Sequence, residues 1–298
     1  MSISTLLLMA VAVVGVIFAG VWALEVRKRG GFAWPKPIEL AIGFVTDFFD
    51  TLGIGSFAPT ISLFKFFKLV PDERVPGTLN AGHAIPTILE AFAFIAIVNV
   101  DPITLISMIA ASVAGAWLGA GLVARLPKRY VQIGIGGALL VAAALFLTKN
   151  LNWIPGGGDA LGLTGPTLAF AIFANFCLGA LMTLGIGLYA PALILVSLLG
   201  MNPKTAWPIM MGSCAFLMPI ASIRFIKLDA YSLQAALGLT LGGIPGVLIA
   251  AYIVKSLPIT AVRWLVVVVV VYAAISMLRS AAIDRKTADQ NPAPTLSS

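Results

Sequence analysis

Three acids and the single histidine of this 298-residue chain lie inside apolar sequence. Asp47 and Asp50 fall in GFVTDFFDTLGIG, His83 in TLNAGHAIPT, and Glu90 seven residues further on. The i, i+3 spacing sets Asp47 and Asp50 on one helix face. An ionised carboxylate away from water is costly, so both should face the protein interior, an aqueous vestibule or a partner. Two readings stand. Either one of them binds or relays a proton coupled to substrate movement, or both bond to backbone or to basic residues at a hydrated rim. His83 has the same two readings, a proton relay or a structural hydrogen-bond donor near a helix start. Asn80 lies one turn before it. Glu90 is a further acid whose partner the sequence does not reveal.

The second feature is a pair of interruptions. Residues 51–61, TLGIGSFAPTI, and residues 183–193, TLGIGLYAPAL, share seven of eleven positions at an offset of 132. Gly53, Gly55 and Pro59 thus answer to Gly185, Gly187 and Pro191. Glycine lets the backbone turn and come close to a ligand, and a broken helix leaves N–H groups at the positive end of its dipole. If new half-helices begin after Gly55 and Gly187, their N-termini can converge on one small anion. Ser56 borders the first break, while Asn80, Gly212 and Ser213 could complete the walls, Gly212 answering to Asn80 at the same offset. A hinge used only for packing is the alternative. Asp47 and Asp50 have Gly179 and Met182 as counterparts, so the acids are not duplicated. Beside an anion they would repel it unless protonated, which favours a proton role over direct binding.

The elements that must position these residues are membrane helices. Hydrophobic residues make up 60% of the chain and charged ones 10%, and mean hydropathy is +1.02. Several windows exceed the roughly 18 apolar residues that mark a spanning helix, whereas a barrel would show short alternating strands. Residues 38–69 and 164–199 fit neither one crossing nor two: 32 residues would extend about 48 Å against a core of about 30 Å. Each holds a Gly-Ile-Gly near its middle, so two half-length helices meeting inside the membrane are expected.

The repetition extends further. Pro71 and Pro76 match Pro203 and Pro208, and GAWLGAGLVARLP at 115–127 matches GVLIAAYIVKSLP at 246–258. The fold expected is an all-α polytopic membrane protein with an extra N-terminal helix and two inverted-topology repeats, each a helix-break hairpin followed by three transmembrane helices. Residues 1–37 form the first helix and a basic loop, 38–148 repeat 1, 149–163 a linker and 164–280 repeat 2. Residues 281–298 form a polar tail, expected to be disordered after Arg279. A hairpin that enters and leaves on one side gives each unit an odd number of crossings, which inverts the second unit. With the N-terminus outside and the C-terminus cytoplasmic, all but Lys149, Lys204, Lys255 and Arg263 of the 19 Lys and Arg fall on the cytoplasmic side, as the positive-inside rule asks.

Charge +7 therefore reads as membrane orientation, not nucleic-acid binding. The first apolar run is about as long as a spanning helix and its charges follow it, which favours an uncleaved helix over a signal peptide. Cys177 and Cys214 lie in apolar segments, so neither a disulfide framework nor a metal site is expected. No nucleophile triad, phosphate loop, zinc spacing or haem motif occurs, and no catalytic residue or cofactor is expected.

The duplicated Gly-Ile-Gly-x-[Phe/Tyr]-Ala-Pro, with Pro-x(4)-Pro downstream, resembles the TauE/SafE family of sulfite-exporter-like permeases over residues 38–280. The resemblance implies transport of sulfur-containing anions such as sulfite, sulfoacetate or toluene sulfonate across the inner membrane, in either direction. Its matching positions are Gly53, Gly55, Pro59, Gly185, Gly187 and Pro191. The function expected is a secondary transporter of a small anion, a sulfur oxyanion, organosulfonate or carboxylate, with a co-transported proton or cation for uptake. An integral-membrane enzyme, a lipid-handling assembly factor and an anion channel are the other classes.

Overall fold

Glycine and proline punctuate the apolar runs, and in the computed structural model the helices begin and end at that punctuation. The structure describes residues 3–28, 34–123, 128–151, 158–182 and 187–290, and among them helices are the only extended elements. After α1 (Ile3–Lys28) the chain forms α2 (Pro37–Thr51), α3 (Phe57–Phe67), α4 (Val75–Ile97), α5 (Pro102–Val123) and α6 (Lys128–Asn150). Then come α7 (Gly165–Met182), α8 (Tyr189–Leu198), α9 (Ala206–Lys227), α10 (Leu233–Ser256) and α11 (Ile259–Gln290). Short 3-10 turns at Asp72–Arg74 and Pro203–Thr205 lead into α4 and α9. Among the described residues, six helical stretches are long and apolar enough to cross a membrane, in α1, α4, α7, α9, α10 and α11. Bulky apolar side chains such as Val16, Trp117 and Tyr252 point outward, as lipid-facing surfaces require. The protein is an all-α polytopic membrane protein.

Both long segments are split. α2 has 15 residues and α3 has 11, with a left-handed turn between them at Gly53 (φ 98°) and Gly55 (φ 90°). Few side chains tolerate that backbone region. In the later segment α7 has 18 residues and α8 has 10; residues 183–186, including Gly185, lie outside the described residues. The half-helices start two residues after each second glycine, at Phe57 and Tyr189. Beyond Arg279, α11 stays helical to Gln290, where disorder was expected. Ala281, Ala282, Arg285 and Lys286 are good helix formers, so charge alone does not end the helix.

Packing exchanges partners between the early and late halves. α2 lies along α10 and α5 along α7, the two most extensive helix pairs. Both pairs approach backbone to backbone: a side chain at Gly242 would strike the Leu40 carbonyl, and one at Gly179 the Ser112 carbonyl. Small residues at such seams are how membrane helices pack closely. Contacts of Gly43 with Leu239 and Gly246 with Phe44 show that α2 and α10 run parallel. α4 and α9 run antiparallel, with Gly77 against Phe225, Thr87 beside Met218, and the Phe94 and Trp207 rings 6.2 Å apart. Pro86 within α4 cannot donate to the Gly82 carbonyl; Thr240 of α10 donates to it instead, at 2.7 Å.

Loops gather at two ends. At one, Gln234 donates to the Trp34 carbonyl, the Ser232 N–H to Thr78, and Arg74 faces Asp229 at 3.7 Å. Lys36, Lys65, Lys68, Arg224 and Lys227 flank the same end. At the other, the Asp101 N–H donates to the Leu161 carbonyl and Lys204 to that of Leu257, while Arg263 meets Asp159.

Candidate functional site

Between the two breaks lies a cavity of about 100 Å³. Ile54, Gly55, Ser56, Phe57 and Ala58 wall one side; Gly187, Leu188, Tyr189 and Ala190 wall the other. Met182, Cys214 and Met218 add apolar surface, and α6 and α11 supply Gln132, Tyr272, Ser276 and Ser280. Among the described lining residues Asp50 is the only carboxylate, and none is Lys or Arg. Ser56 lies beside the Asp50 carboxyl.

The helix starts at this cavity are uncapped by side chains. α3 and α8 each carry a proline at their third position, Pro59 and Pro191, which removes one N–H from the first turn. Phe57 and Ala58, and likewise Tyr189 and Ala190, keep theirs. First-turn N–H groups have no intrahelical acceptor, and here they border the same space. A side chain added at Gly55 or Gly187 would meet no atom within 4 Å, whereas at Gly53 it would meet Leu193 at 3.4 Å. Gly55 and Gly187 thus keep the cavity open, and Gly53 shapes the turn behind it.

A polar chain runs behind the cavity. Thr60 donates to the Ser56 carbonyl at 2.8 Å and lies 3.1 Å from His83 Nε2. Its hydroxyl hydrogen is committed to Ser56, so Thr60 accepts and His83 Nε2 carries a hydrogen. On the other side of the ring, Nδ1 lies 2.7 Å from Asp47 Oδ1. His83 and Asp47 are both fully buried, and one proton lies between them. Whichever atom holds that proton, the pair is neutral as a whole. Asp47 Oδ2 has no hydrogen-bond partner and abuts Gly243, where a side chain would overlap it.

Glu90 has partners that sequence could not supply. Its Oε1 lies 2.6 Å from the Thr51 hydroxyl and its Oε2 3.0 Å from that of Tyr189. Thr51 ends α2 and Tyr189 starts α8, so this one side chain touches both breaks. The Thr51 carbonyl in turn accepts from the Trp207 indole at 2.8 Å.

Of the residues singled out in the sequence, Asp50, Gly55, Ser56 and Gly187 line the cavity. Asp47 and His83 stand one shell back, Pro59 and Pro191 sit within the half-helices, and Gly185 is outside the described residues. Asn80 is elsewhere, donating to the Pro76 carbonyl. Gly212 packs against Ile109, and Ser213 donates to the Ile209 carbonyl. Tyr189, Gln132, Tyr272, Ser276 and Ser280 escaped the sequence reading; Tyr189 alone carried a signal, standing inside the duplicated motif.

A family model, Sulfite exporter TauE/SafE, matches residues 1–146 and 167–297. No curated protein and no solved structure matches the chain. With the two matched stretches spanning nearly the whole sequence, the chain belongs to the sulfite exporter TauE/SafE family, membrane transporters for sulfur compounds.

Proposed function

We propose that this protein is a secondary transporter that carries sulfite or a small organosulfonate through the cavity between its two helix breaks. The observation carrying this reading is that both breaks, 132 residues apart in sequence, wall the same small space. Two half-helix N-termini offer the anion N–H donors and dipole charge without any basic side chain, and Ser56 adds a hydroxyl. Asp50 borders the same space, so an anion and a proton on Asp50 bind together. Asp47 and His83 hold the neighbouring charge balance. Outward movement of the anion gains about 2.3 kcal/mol per charge per 100 mV from an inside-negative potential; inward movement needs the co-bound proton or another cation.

Alternating access of two inverted halves, residues 38–148 and 164–280, supplies the motion. The element order supports this: α2 to α6 are followed by α7 to α11 in the same sequence of long and half-length helices, and α4 runs antiparallel to α9, its counterpart. The half-helices differ in seating. α8 is almost wholly buried and packs on α6, α9 and α11, while α3 rests mainly on α2 and α4 and exposes Phe66 and Phe67. This difference in seating supports access to the cavity from one side at a time. The basic end is the cytoplasmic side of the inner membrane, with the N-terminus outside.

Counterflow in proteoliposomes with sulfite, sulfoacetate and sulfate tests the reading. Saturable exchange of at least one sulfur anion is expected; no flux of any anion under either gradient would refute it.

A further inference from the structure

Thr51 is asked for two hydrogen bonds as a donor and has one hydroxyl hydrogen. Its oxygen lies 2.8 Å from the Asp47 carbonyl and 2.6 Å from Glu90 Oε1. The carbonyl can only accept. If Thr51 donates to it, the second, shorter contact needs a hydrogen on Glu90. The other carboxyl oxygen accepts from Tyr189 at 3.0 Å. Counted this way, every hydrogen has one acceptor, and Glu90 is a neutral carboxylic acid.

Its surroundings agree. Glu90 is fully buried in α4. The titratable groups beside it are Asp47 and Asp50 of α2, Tyr189 of α8 and Cys214 of α9, and Asp47 is itself paired with His83. Among the described residues no Lys or Arg pairs with it, and the one positive charge nearby is shared with Asp47. An ionised Glu90 would be a buried carboxylate beside two others, without a cation of its own.

The geometry points to Glu90 as the proton-binding site of the transporter: it joins Thr51 at the end of α2 to Tyr189 at the start of α8 in either protonation state, and its bound proton leaves the Thr51 hydrogen on the Asp47 carbonyl. Release is balanced in atoms: the proton leaves the Glu90 carboxyl for solvent by way of the Tyr189 hydroxyl, its one partner that lines the cavity, and the Thr51 hydrogen turns from the Asp47 carbonyl to the carboxylate. The last carbonyl-bonded turn of α2 then loses its side-chain donor, loosening the first break. The site differs from Asp50, which shares the cavity with the anion; Glu90 lies behind Tyr189 and reads the relation between the two breaks. The coupling half of this inference rests on the transport reading above, and the protonation half does not.

Infrared spectra of the purified protein in lipid, compared with Glu90→Gln and Tyr189→Phe, test it. The Gln amide can donate to Thr51 and accept from Tyr189, so the fold is kept. A carboxylic-acid C=O stretch is expected at neutral pH in the parent protein, lost in Glu90→Gln and shifted in Tyr189→Phe. Coincident parent and Glu90→Gln spectra in that region overturn the inference. In sealed vesicles under a sulfite gradient, Glu90→Gln should bind sulfite like the parent and lose proton movement, read with a pH dye. Proton movement at the parental rate would overturn the coupling role. If the parent moves no sulfur anion, the transport reading fails, and the infrared comparison alone still decides where the proton sits.

Discussion

A histidine and a carboxylate with no access to water can be kept only as a pair, and His83 with Asp47 shows how. The Nδ1–Oδ1 contact of 2.7 Å and the Thr60 contact of 3.1 Å hold both ring nitrogens. Removing one partner strands the other in apolar surroundings, a loss of roughly 3–5 kcal/mol. His83→Ala should therefore lower the thermal midpoint sharply, and adding Asp47→Asn should restore part of it, because the stranded charge goes. Equal loss in the single and double variants would mean that the pair is not charge-coupled. Asp50 makes a different prediction because it lines the cavity proposed for the anion. Anion affinity should fall as pH rises and Asp50 loses its proton, and Asp50→Asn should bind with little pH dependence. A variant as pH-sensitive as the parent would remove Asp50 from the site.

At the scale of the helices, the two glycine breaks have separate requirements. Gly55 has φ 90° with open space around it, so Gly55→Ala meets backbone strain of about 1–3 kcal/mol but no clash. Gly55→Leu and Gly187→Leu would push a side chain into the cavity. Both should express and fold yet lose transport, and normal flux in both would place the substrate elsewhere. Gly242→Leu should behave oppositely, failing to fold, since its side chain would enter the Leu40 carbonyl at the α2–α10 seam; a well-folded Gly242→Leu protein would show that the seam is not tight. The breaks were legible in sequence because glycine and proline interrupt apolar runs at a repeated spacing. The walls from α6 and α11 were not: Gln132, Ser276 and Ser280 lie in ordinary spanning helices, and only tertiary packing turns them toward the cavity. Glu90 was visible as an acid, but its Thr51 and Tyr189 partners lie 39 and 99 residues away. The end of α11 departs from the expected disorder because local helix propensity, not polar composition, carries the helix to Gln290.

For the whole molecule, exchange of partners between the halves means that neither is built to stand alone: α2 needs α10, and α7 needs α5. Under the proposed alternating access, α3, seated mainly on α2 and α4, is the part that moves and opens the cavity toward the basic end. A cysteine introduced at Ser280 should be labelled from the cytoplasmic side and protected by saturating substrate anion; labelling only from the opposite side would reverse the orientation. The central claim, a sulfur anion carried through a site made by both breaks, is tested most directly by sulfite counterflow in proteoliposomes with the parent protein, Gly55→Leu and Gly187→Leu in parallel. Saturable exchange in the parent that is lost in both variants is the result expected. Undiminished exchange in both variants, or none in the parent, would contradict it.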